Sequence, residues 1–380
     1  MNVLCDFHHT DLFRSLRSLV EKRLGWRLFR PLGLEWREKG YVFHPDRYFG
    51  EGVLSKKPFN EKHLRDLPVG APSHYPHGTD AFEWSWITLE EASQTIDLIL
   101  STHPENHSAF FKFRQERRPG AKLVRYIGNE GEMPSAEYPN LLLATLPVYE
   151  AVQKKTHAVF FHPEFDTSLY SWQAPPVWDK PVMRTFLNFI YHQTDEARHD
   201  HVLYCRHLER LSPNVHFYTH GQGTPPPNVR LEPGEPLWSS IRERYGADFQ
   251  MPDLLRNSGE PKDHAEISQL MKNTNLAWHA KTDDGYGYLI HQLYASGRPI
   301  VCRRSNYQGK TAGILLKDKK TCVMVDGSVE EDIKKISHYL RPHENRRLCE
   351  NARDIFKKTV NFDHEFKRLK KFFENLRQRI

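Results

Sequence analysis

The chain has 380 residues, of which 38% are hydrophobic and 27% are charged, and its formal net charge is +6. This length exceeds what one hydrophobic core usually supports, and the composition excludes a disordered chain, so we expect two globular domains. No uncharged apolar run approaches the roughly 18 residues that a membrane-spanning helix needs, so the sequence predicts no transmembrane anchor.

The first residues, MNVLCDFHHTD, reach Asp6 before any signal-like apolar stretch develops, and they predict a buried strand in a cytoplasmic protein. The five cysteines are scattered and never spaced as CxxC, which predicts neither a disulfide framework nor a zinc site. Residues 1–175 hold 21 Lys plus Arg and 22 Asp plus Glu, so the basic surplus lies in the C-terminal half. That surplus suits an anionic diphosphate, and scattered solvated charge explains it equally well.

Strand-like and helix-like patterns alternate along the N-terminal half. An apolar strand at 1–7 precedes a helix at 11–24, which Gly25 ends before the next strand at 26–29. The remaining elements predicted in this half are strands at 96–101, 122–127 and 158–161 and a helix at 107–115. Alternation of this kind predicts a parallel sheet with helices on both faces.

Proline concentrates in the segment QAPPVWDKP, 173–181, which has no periodicity and predicts a linker between domains. The alternation then restarts, with strands predicted at 182–191, 215–219, 276–279 and 300–303 and helices at 195–211 and 265–273. We predict two doubly wound, Rossmann-like α/β domains, at 1–175 and 182–355. Strand-to-helix loops are then the places to look for a ligand site.

One such loop carries the most informative segment, DDGYGYLIHQLYASGRP, 283–299. The turn Asp284-Gly285-Tyr286-Gly287 follows a strand and opens a helix, so backbone amides can approach a phosphate that the helix N-terminus favours. Ser296-Gly297 and Pro299 predict the end of that helix. Gln292 lies one helical turn beyond Tyr288, and its amide can therefore face the same pocket. An ordinary glycine turn is the alternative.

This segment resembles the donor motif of retaining glycosyltransferase family 4, in which an acidic residue precedes a glycine-aromatic-glycine turn. A glutamate follows eight positions after that acid. Asp284 and Gln292 occupy the two positions. The resemblance implies that Asp284 lies beside the hydroxyls of the donor sugar and that Gln292 holds the ribose, which an amide can do by hydrogen bonding.

The resemblance covers about half of the chain. The segment 189–223 is similar to the start of the family's donor domain, with Arg198 where a phosphate-binding lysine is expected and Gln193 where an arginine usually lies. The family has the GT-B fold, in which two Rossmann-like domains face a cleft. The segment 356–380 is similar to its last helix, which crosses back to the N-terminal domain.

Three further residues complete the predicted donor site. Gly221 begins the loop after the strand at 215–219, His279 ends the strand before the motif, and Lys310 lies downstream of it. Solvated surface charge is the alternative role for Lys310 and for Arg198. A structural role is the alternative for His279.

Histidines follow two of the predicted N-terminal strands. His8 and His9 follow the first strand and His103 follows the strand at 96–101, where the family keeps catalytic or acceptor-binding groups. Helix capping by Thr10 or Asp11 is the simpler explanation of the first of these turns. The other polar candidates at strand ends are Glu105, Asn129, Glu130 and Glu132.

A basic cluster with interleaved phenylalanines lies at 110–118. Its cations are Lys112, Arg114, Arg117 and Arg118, Lys122 and Arg125 extend the patch, and we expect it near the acceptor face. They predict binding of a polyanion such as DNA or an anionic glycan, and the favoured alternative is a solvated helix end above core phenylalanines. The 22 histidines show no HExxH spacing, and the family works without a bound metal, so we expect neither a catalytic metal nor a cofactor.

The sequence thus predicts a hexosyltransferase that moves a sugar from a UDP- or GDP-sugar to a hydroxyl, with retention of configuration. The expected acceptor is a hydroxymethylated DNA base or a saccharide. A catalytically silent GT-B module that binds nucleic acid or glycan is the alternative. A sugar epimerase or phosphorylase of similar fold is a further rival.

Overall fold

The computed structural model describes residues 1–6, 10–31, 33–43, 86–103, 106–129, 131–132, 134, 138–177, 180–186, 203–204, 207–208, 216–219, 264–279, 281 and 285–378. They form two compact units. The first comprises Met1–Phe165 with Asn361–Ile380, and the second comprises Asp166–Val360. No helix in these ranges is both long and apolar enough to cross a bilayer.

The first unit is built on a seven-stranded parallel sheet. Its strands are β1 Asn2–Cys5, β2 Arg27–Pro31, β3 Trp86–Ile87, β4 Leu98–Ser101, β5 Lys122–Ile127, β6 Asn140–Leu143 and β7 His157–Phe160. Among the described residues the helices that precede the second unit are α1 Thr10–Arg17, continued by a π-helical turn Ser18–Arg23, α2 Gly33–Glu38, α3 Leu89–Thr95, α4 His107–Glu116 and α5 Leu146–Val152. Strands such as LILS and NLLL are buried at every residue, as expected for a sheet covered on both faces.

The strand order of this sheet is β3-β2-β1-β4-β5-β6-β7. The chain therefore grows outward in one direction from β1 and then in the other direction from β4. Cys5 at the end of β1 lies beside Leu100 of β4 in the register. Ligands bind outside the carboxyl ends of the strands at such a reversal, called here the switch point.

The second unit is built on a five-stranded parallel sheet in the order β12-β11-β10-β8-β9. Its strands are β8 Val182–Thr185, β9 His216–Thr219, β10 Leu276–Trp278, β11 Ile300–Arg303 and β12 Val323–Val325. The helices with described bounds are α6 His264–Lys272, α7 Tyr288–Ala295, α8 Val329–Tyr339 and α9 Pro342–Thr359, with 3-10 turns at Arg304–Asn306 and Thr311–Leu315. The switch point lies between β8 and β10, where Ala277 pairs with Arg184.

The last helix, α10 Phe362–Gln378, belongs to the first unit, as the predicted crossing helix requires. Its buried Glu365 accepts a hydrogen bond from Nδ1 of buried His162 at 2.6 Å. Phe372 stacks on the His157 ring with centroids 4.5 Å apart. These contacts hold the helix against the first residue of β7 and against the residues that follow the strand.

The proline-rich segment predicted as a linker is bound to the second unit. The buried guanidinium of Arg298 donates to the carbonyl of Gln173 at 3.0 Å and approaches that of Ala174 at 3.4 Å. The same side chain donates to the Met271 and Lys272 carbonyls, which joins the segment to the end of α6. The border between the two compact units therefore lies N-terminal to this segment, at Phe165 and Asp166.

Several element bounds differ from the sequence-based expectation. The strand predicted at 182–191 ends at Thr185, and the helix predicted at 356–380 is divided into the end of α9 and all of α10. Gly297 ends α7 in the left-handed conformation that the motif predicted, with φ of 70°. A side chain at this glycine would collide with the Trp172 ring, so the close packing requires glycine here too.

Candidate functional site

The carboxyl end of the second sheet collects the described part of the predicted donor site. β8 ends at Thr185 and β10 ends at Trp278, on either side of the switch point. His279 follows Trp278, and its backbone nitrogen donates to the Val301 carbonyl at 2.9 Å, which extends the pairing with β11 by one residue. The loop after β10 then leads into α7.

The predicted phosphate-binding turn opens α7 in the expected way. Gly287 is the N-cap residue and has the left-handed conformation, φ 76° and ψ 53°, which glycine adopts without steric cost. Its carbonyl accepts a hydrogen bond from His291 Nδ1 at 2.9 Å, and the His291 ring stacks on Tyr286 with centroids 4.0 Å apart. The aromatic residue of the motif is therefore part of the packing that fixes the turn. The helix N-terminus beyond it favours an anion.

Three residues of this unit, Thr185, Gln292 and Ser296, each bury a polar atom for which the described residues provide no hydrogen-bond partner. Ser296 lies at the C-terminal end of α7, and the other two concern the carboxyl end of the sheet. Their atoms are Nε2 of Gln292, whose residue is 4% exposed, and Oγ1 of Thr185, whose residue is 1% exposed. Buried polar groups are normally paired, so an unpaired one needs an explanation, and a ligand is one. Both residues belong to elements that meet the carboxyl end of the sheet.

His279 and the loop that contains Lys310 share a neighbour. The His279 ring lies 5.8 Å from the Tyr307 ring, and the Lys310 backbone nitrogen donates to the Tyr307 carbonyl at 3.2 Å. Lys310 is also the N-cap of the 3-10 turn Thr311–Leu315. The fold thus brings His279 and the Lys310 loop together around one buried tyrosine.

At the switch point of the first sheet a carboxylate binds the turn after β4. Asp6 follows β1 and is 3% exposed. Its carboxylate accepts hydrogen bonds from the backbone nitrogens of Thr102 and His103, the second at 2.9 Å, and from the Asn106 side chain at 3.1 Å. Burial raises the pKa of Asp6, while those backbone hydrogen bonds and the charge of Arg125 act in the opposite direction. His103, predicted as catalytic, is thereby attached to β1.

Two strands of the same sheet carry buried arginines. Arg125 of β5 pairs with Glu132 at 3.0 Å, and Glu132 also accepts from the Asn129 side chain at 2.9 Å. Burial lowers the pKa of Arg30 on β2 to about 9, against the raising effect of Asp6 and Cys5. Asn129 and Glu132, both candidates from the sequence, therefore form one cluster with Arg125.

The predicted polyanion-binding cations lie toward the opposite end of this sheet. Arg118 donates to the Ile96 carbonyl at 2.7 Å and Arg114 to the Ala121 carbonyl at 3.0 Å, just before β4 and β5 begin. Lys112 reaches the Gly40 carbonyl and lies over the Tyr41 ring, and Arg117 meets the Tyr41 hydroxyl at 3.4 Å. We expected these cations near the acceptor face, at the carboxyl ends of the strands. They lie at the amino ends instead, because the last turn of α4 is at that end of the sheet. Each of the four has a structural partner.

Eight residues that the sequence singled out lie outside the described residues, so their geometry is not part of this site: His8, His9, Glu105, Glu130, Gln193, Arg198, Gly221 and Asp284. Within the described ranges, no group of three or more His, Cys, Asp or Glu side chains could hold a metal ion.

Sequence reasoning missed Asp6, Arg30 and Thr185, and it assigned Arg125 to the polyanion-binding patch, whereas the structure pairs it with Glu132. Asp6 and Thr185 carried the same signal as the histidines, namely a polar residue where a buried strand ends, but the longer predicted strands placed both inside a strand. Arg30 and Arg125 lie inside strands, where the sequence alone does not distinguish a cation that faces a carboxylate from one in solvent.

The two sheet orders and the returning C-terminal helix define the GT-B fold, which is the fold of many glycosyltransferases. Sucrose-phosphate synthase from Thermosynechococcus elongatus is similar, with a TM-score of 0.63 at 12% identity over 99% of this chain and 98% of that one. HepE from Anabaena, solved in complex with UDP and glucose, gives 0.60 at 13% identity over 98% and 99%.

A glycosyltransferase from Rickettsia africae gives a TM-score of 0.59 at 11% identity over 100% of this chain and 99% of that one. The chain matches no family model and no curated protein sequence. Similarity at these identities establishes the GT-B fold. Membership of glycosyltransferase family 4 stays a prediction.

Proposed function

We propose that the protein is a glycosyltransferase that moves a hexose from a nucleoside diphosphate sugar to an acceptor hydroxyl. The observation that carries the proposal is the αL glycine turn that opens α7 next to a switch point, together with the unpartnered amide of buried Gln292. The turn suits a diphosphate and the amide suits a ribose hydroxyl. HepE, which shares the fold, was solved with UDP-glucose as well, which supports a UDP-sugar as donor and leaves a GDP-sugar as the alternative.

The roles of the donor residues follow from the motif. Amides of Gly285 to Gly287 face the diphosphate, Asp284 orients the sugar and Gln292 holds the ribose. The residues that complete the donor site in this proposal are Gln193, Arg198, Gly221, His279 and Lys310. Thr185 joins them because its buried hydroxyl has no described partner at the same switch point.

In the reaction the bond between the anomeric carbon and the diphosphate oxygen breaks, and the acceptor oxygen bonds to the same carbon with retention of configuration. The acceptor loses its proton, and the diphosphate leaves with the negative charge. Helix N-terminal amides, Arg198 and Lys310 stabilise this developing charge. His8, His9 and His103 are the catalytic groups of this proposal. No resident metal is required in this proposal, and full activity in excess chelator is the expected result.

The donor site is tested by Asp284→Ala and Gln292→Ala. Nucleotide release from UDP-glucose, UDP-N-acetylglucosamine and GDP-mannose is measured for both variants, with exposed Asp354→Ala and Gln269→Ala as matched controls. We expect a loss of about tenfold or more in each test variant, since a hydrogen bond to a charged or buried partner contributes about 1.5 kcal/mol or more. Unchanged rates in both would overturn the assignment.

The acceptor is proposed to be a saccharide or a hydroxymethylated DNA base. Mass measurement of candidate acceptors after incubation with the preferred donor distinguishes the two. DNA as acceptor also requires binding that weakens steeply with salt, because each phosphate contact releases counterions. A protein that binds a nucleotide sugar or glycan but never releases nucleotide would instead be a catalytically silent GT-B module.

A further inference from the structure

The first switch point contains a residue whose role goes beyond the donor site. Asp6 is a carboxylate at the end of β1, in the place where a ligand would be expected. All three of its side-chain partners come from one short stretch after β4, at Thr102, His103 and Asn106. The stretch leads directly into α4.

The contacts leave the stretch little freedom. Thr102 donates to one carboxylate oxygen, while His103 and Asn106 share the other. The Thr102 hydroxyl also donates to the Asp6 carbonyl at 2.9 Å. Four hydrogen bonds therefore tie the backbone on both sides of His103 to the end of β1.

Helix capping does not explain this arrangement. Asn106 is the N-cap of α4, and asparagine usually caps a helix through its side chain. Here its side chain makes no capping bond and instead donates to Asp6. The Asn106 side-chain amide therefore attaches the start of α4 to the residue that follows β1.

A buried carboxylate is also an expensive way to hold a turn, because burial disfavours its charge. The neutral residues that commonly fix turns would avoid that penalty. A carboxylate has two oxygens, and together they accept from the backbone nitrogens of Thr102 and His103 and from the Asn106 side-chain amide. These hydrogen bonds fix the backbone position of His103. Catalytic groups need such fixed placement, because an error of about 1 Å lowers rates severely.

We propose that Asp6 is the positioning residue for His103 in the sugar-transfer reaction. The carboxylate holds the backbone nitrogens of Thr102 and His103 and the Asn106 side chain, and so sets the backbone position from which the His103 imidazole projects. This role rests on the proposed function.

The test is Asp6→Asn, which keeps the size of the side chain and replaces one acceptor oxygen by a donor. Turnover of the donor is measured for Asp6→Asn, His103→Gln and the double variant. We expect kcat to fall about 10- to 100-fold in Asp6→Asn. Donor KM should stay within about twofold, since donor binding lies in the second unit. In the His103→Gln background the further loss from Asp6→Asn should vanish.

The matched control is Asn140→Ala. Asn140 is equally buried in the same sheet, at its amino end, where it donates to the Leu123 carbonyl. This variant is expected to lose stability and keep kcat. A kcat loss in Asn140→Ala equal to that in Asp6→Asn, or additive losses in the double variant, would overturn the proposal.

A second measurement separates the positioning role from the proposed activity. The imidazole resonance of His103 is assigned in spectra of the histidine-labelled protein by its disappearance in His103→Gln. It should shift in Asp6→Asn and, by less, in Asn106→Ala, which serves if Asp6→Asn does not fold. An unmoved resonance overturns the positioning role even in an active enzyme. An inactive wild-type protein overturns the proposed function, and the resonance still decides whether Asp6 places His103.

Discussion

The switch points of the two sheets differ in how their polar groups are satisfied. In the first unit, Asp6 accepts hydrogen bonds from Thr102, His103 and Asn106, so the crevice is closed by the protein's own bonds. In the second unit, Thr185 and Gln292 each bury a polar atom without a partner among the described residues.

This difference separates two roles, which are to hold a residue in position and to bind a ligand. Bonds made within the protein fix a group in place before any ligand arrives, which suits a residue that must be held in position. Unmade bonds leave binding capacity for a ligand and cost stability in its absence. Substitutions at the two switch points should therefore have opposite effects on stability and on binding.

The largest effect is expected for Asp6→Ala. Removing the carboxylate leaves three buried donors without an acceptor, so the free energy of unfolding of the first unit should fall by about 3 kcal/mol or more. Affinity for UDP, measured by calorimetry, should be unchanged because the proposed donor site lies in the second unit. A comparable loss of UDP affinity would contradict the different roles of the two switch points.

Thr185→Val should have a smaller effect than Asp6→Ala, and it should lower the affinity for UDP rather than the stability. The change keeps the shape and removes the unpartnered hydroxyl, so the unliganded protein should be as stable as the wild type or more so, while UDP affinity falls about three- to tenfold. Thr145→Val is the matched control, because Thr145 also buries a hydroxyl without a described partner, in the first unit. It should show the same stability and unchanged UDP affinity. Equal UDP affinities in the two variants would contradict a ligand role for Thr185.

The titration of Asp6 predicts how the stability of the protein depends on pH. Burial raises the folded-state pKa of Asp6 above the ordinary value of 3.8. Between these two values the folded protein binds more protons than the unfolded chain, so the contribution of Asp6 to the free energy of unfolding decreases as pH rises. The stability difference between wild type and Asp6→Asn should change in that direction by about 1.4 kcal/mol for each unit that separates the two pKa values. Urea unfolding from about pH 4 to 8 measures it, and a flat difference would show that the pKa of Asp6 is not raised.

The smallest effect is expected at the amino end of the first sheet. Arg118→Gln removes the bond to the Ile96 carbonyl and should lower the free energy of unfolding by about 1 kcal/mol. Arg117→Gln, which loses only a 3.4 Å contact, should leave it unchanged. Retention on duplex DNA is measured for both. Loss of binding in Arg117→Gln would favour the polyanion role of the cluster over a structural one.

The fold was predictable to the extent that its signals are local. The glycine turn, the left-handed Gly297 and the alternation of strands and helices follow from backbone conformation and burial, and the structure confirms them. The end of β8 at Thr185 was not predicted, because the apolar run continues past the strand. The partners of Asp6 lie nearly a hundred residues away, so no local pattern indicates them.

The same holds for buried cations. Arg298 was part of the predicted motif region, yet its sequence context does not show that its guanidinium binds carbonyls of residues 173 and 174. Charged side chains are usually exposed to solvent, and the sequence does not show which of them are buried. The proline-rich stretch therefore looked like a free linker.

The docking of α10 has a consequence for synthesis of the chain. The unit whose strands leave the ribosome first receives its last helix only after all of the second unit has been made. Until then His162 lacks the carboxylate of Glu365, and His157 lacks the ring of Phe372. The unit that is begun first is thus completed last, and a chain whose synthesis stops before α10 leaves the first unit without its last helix.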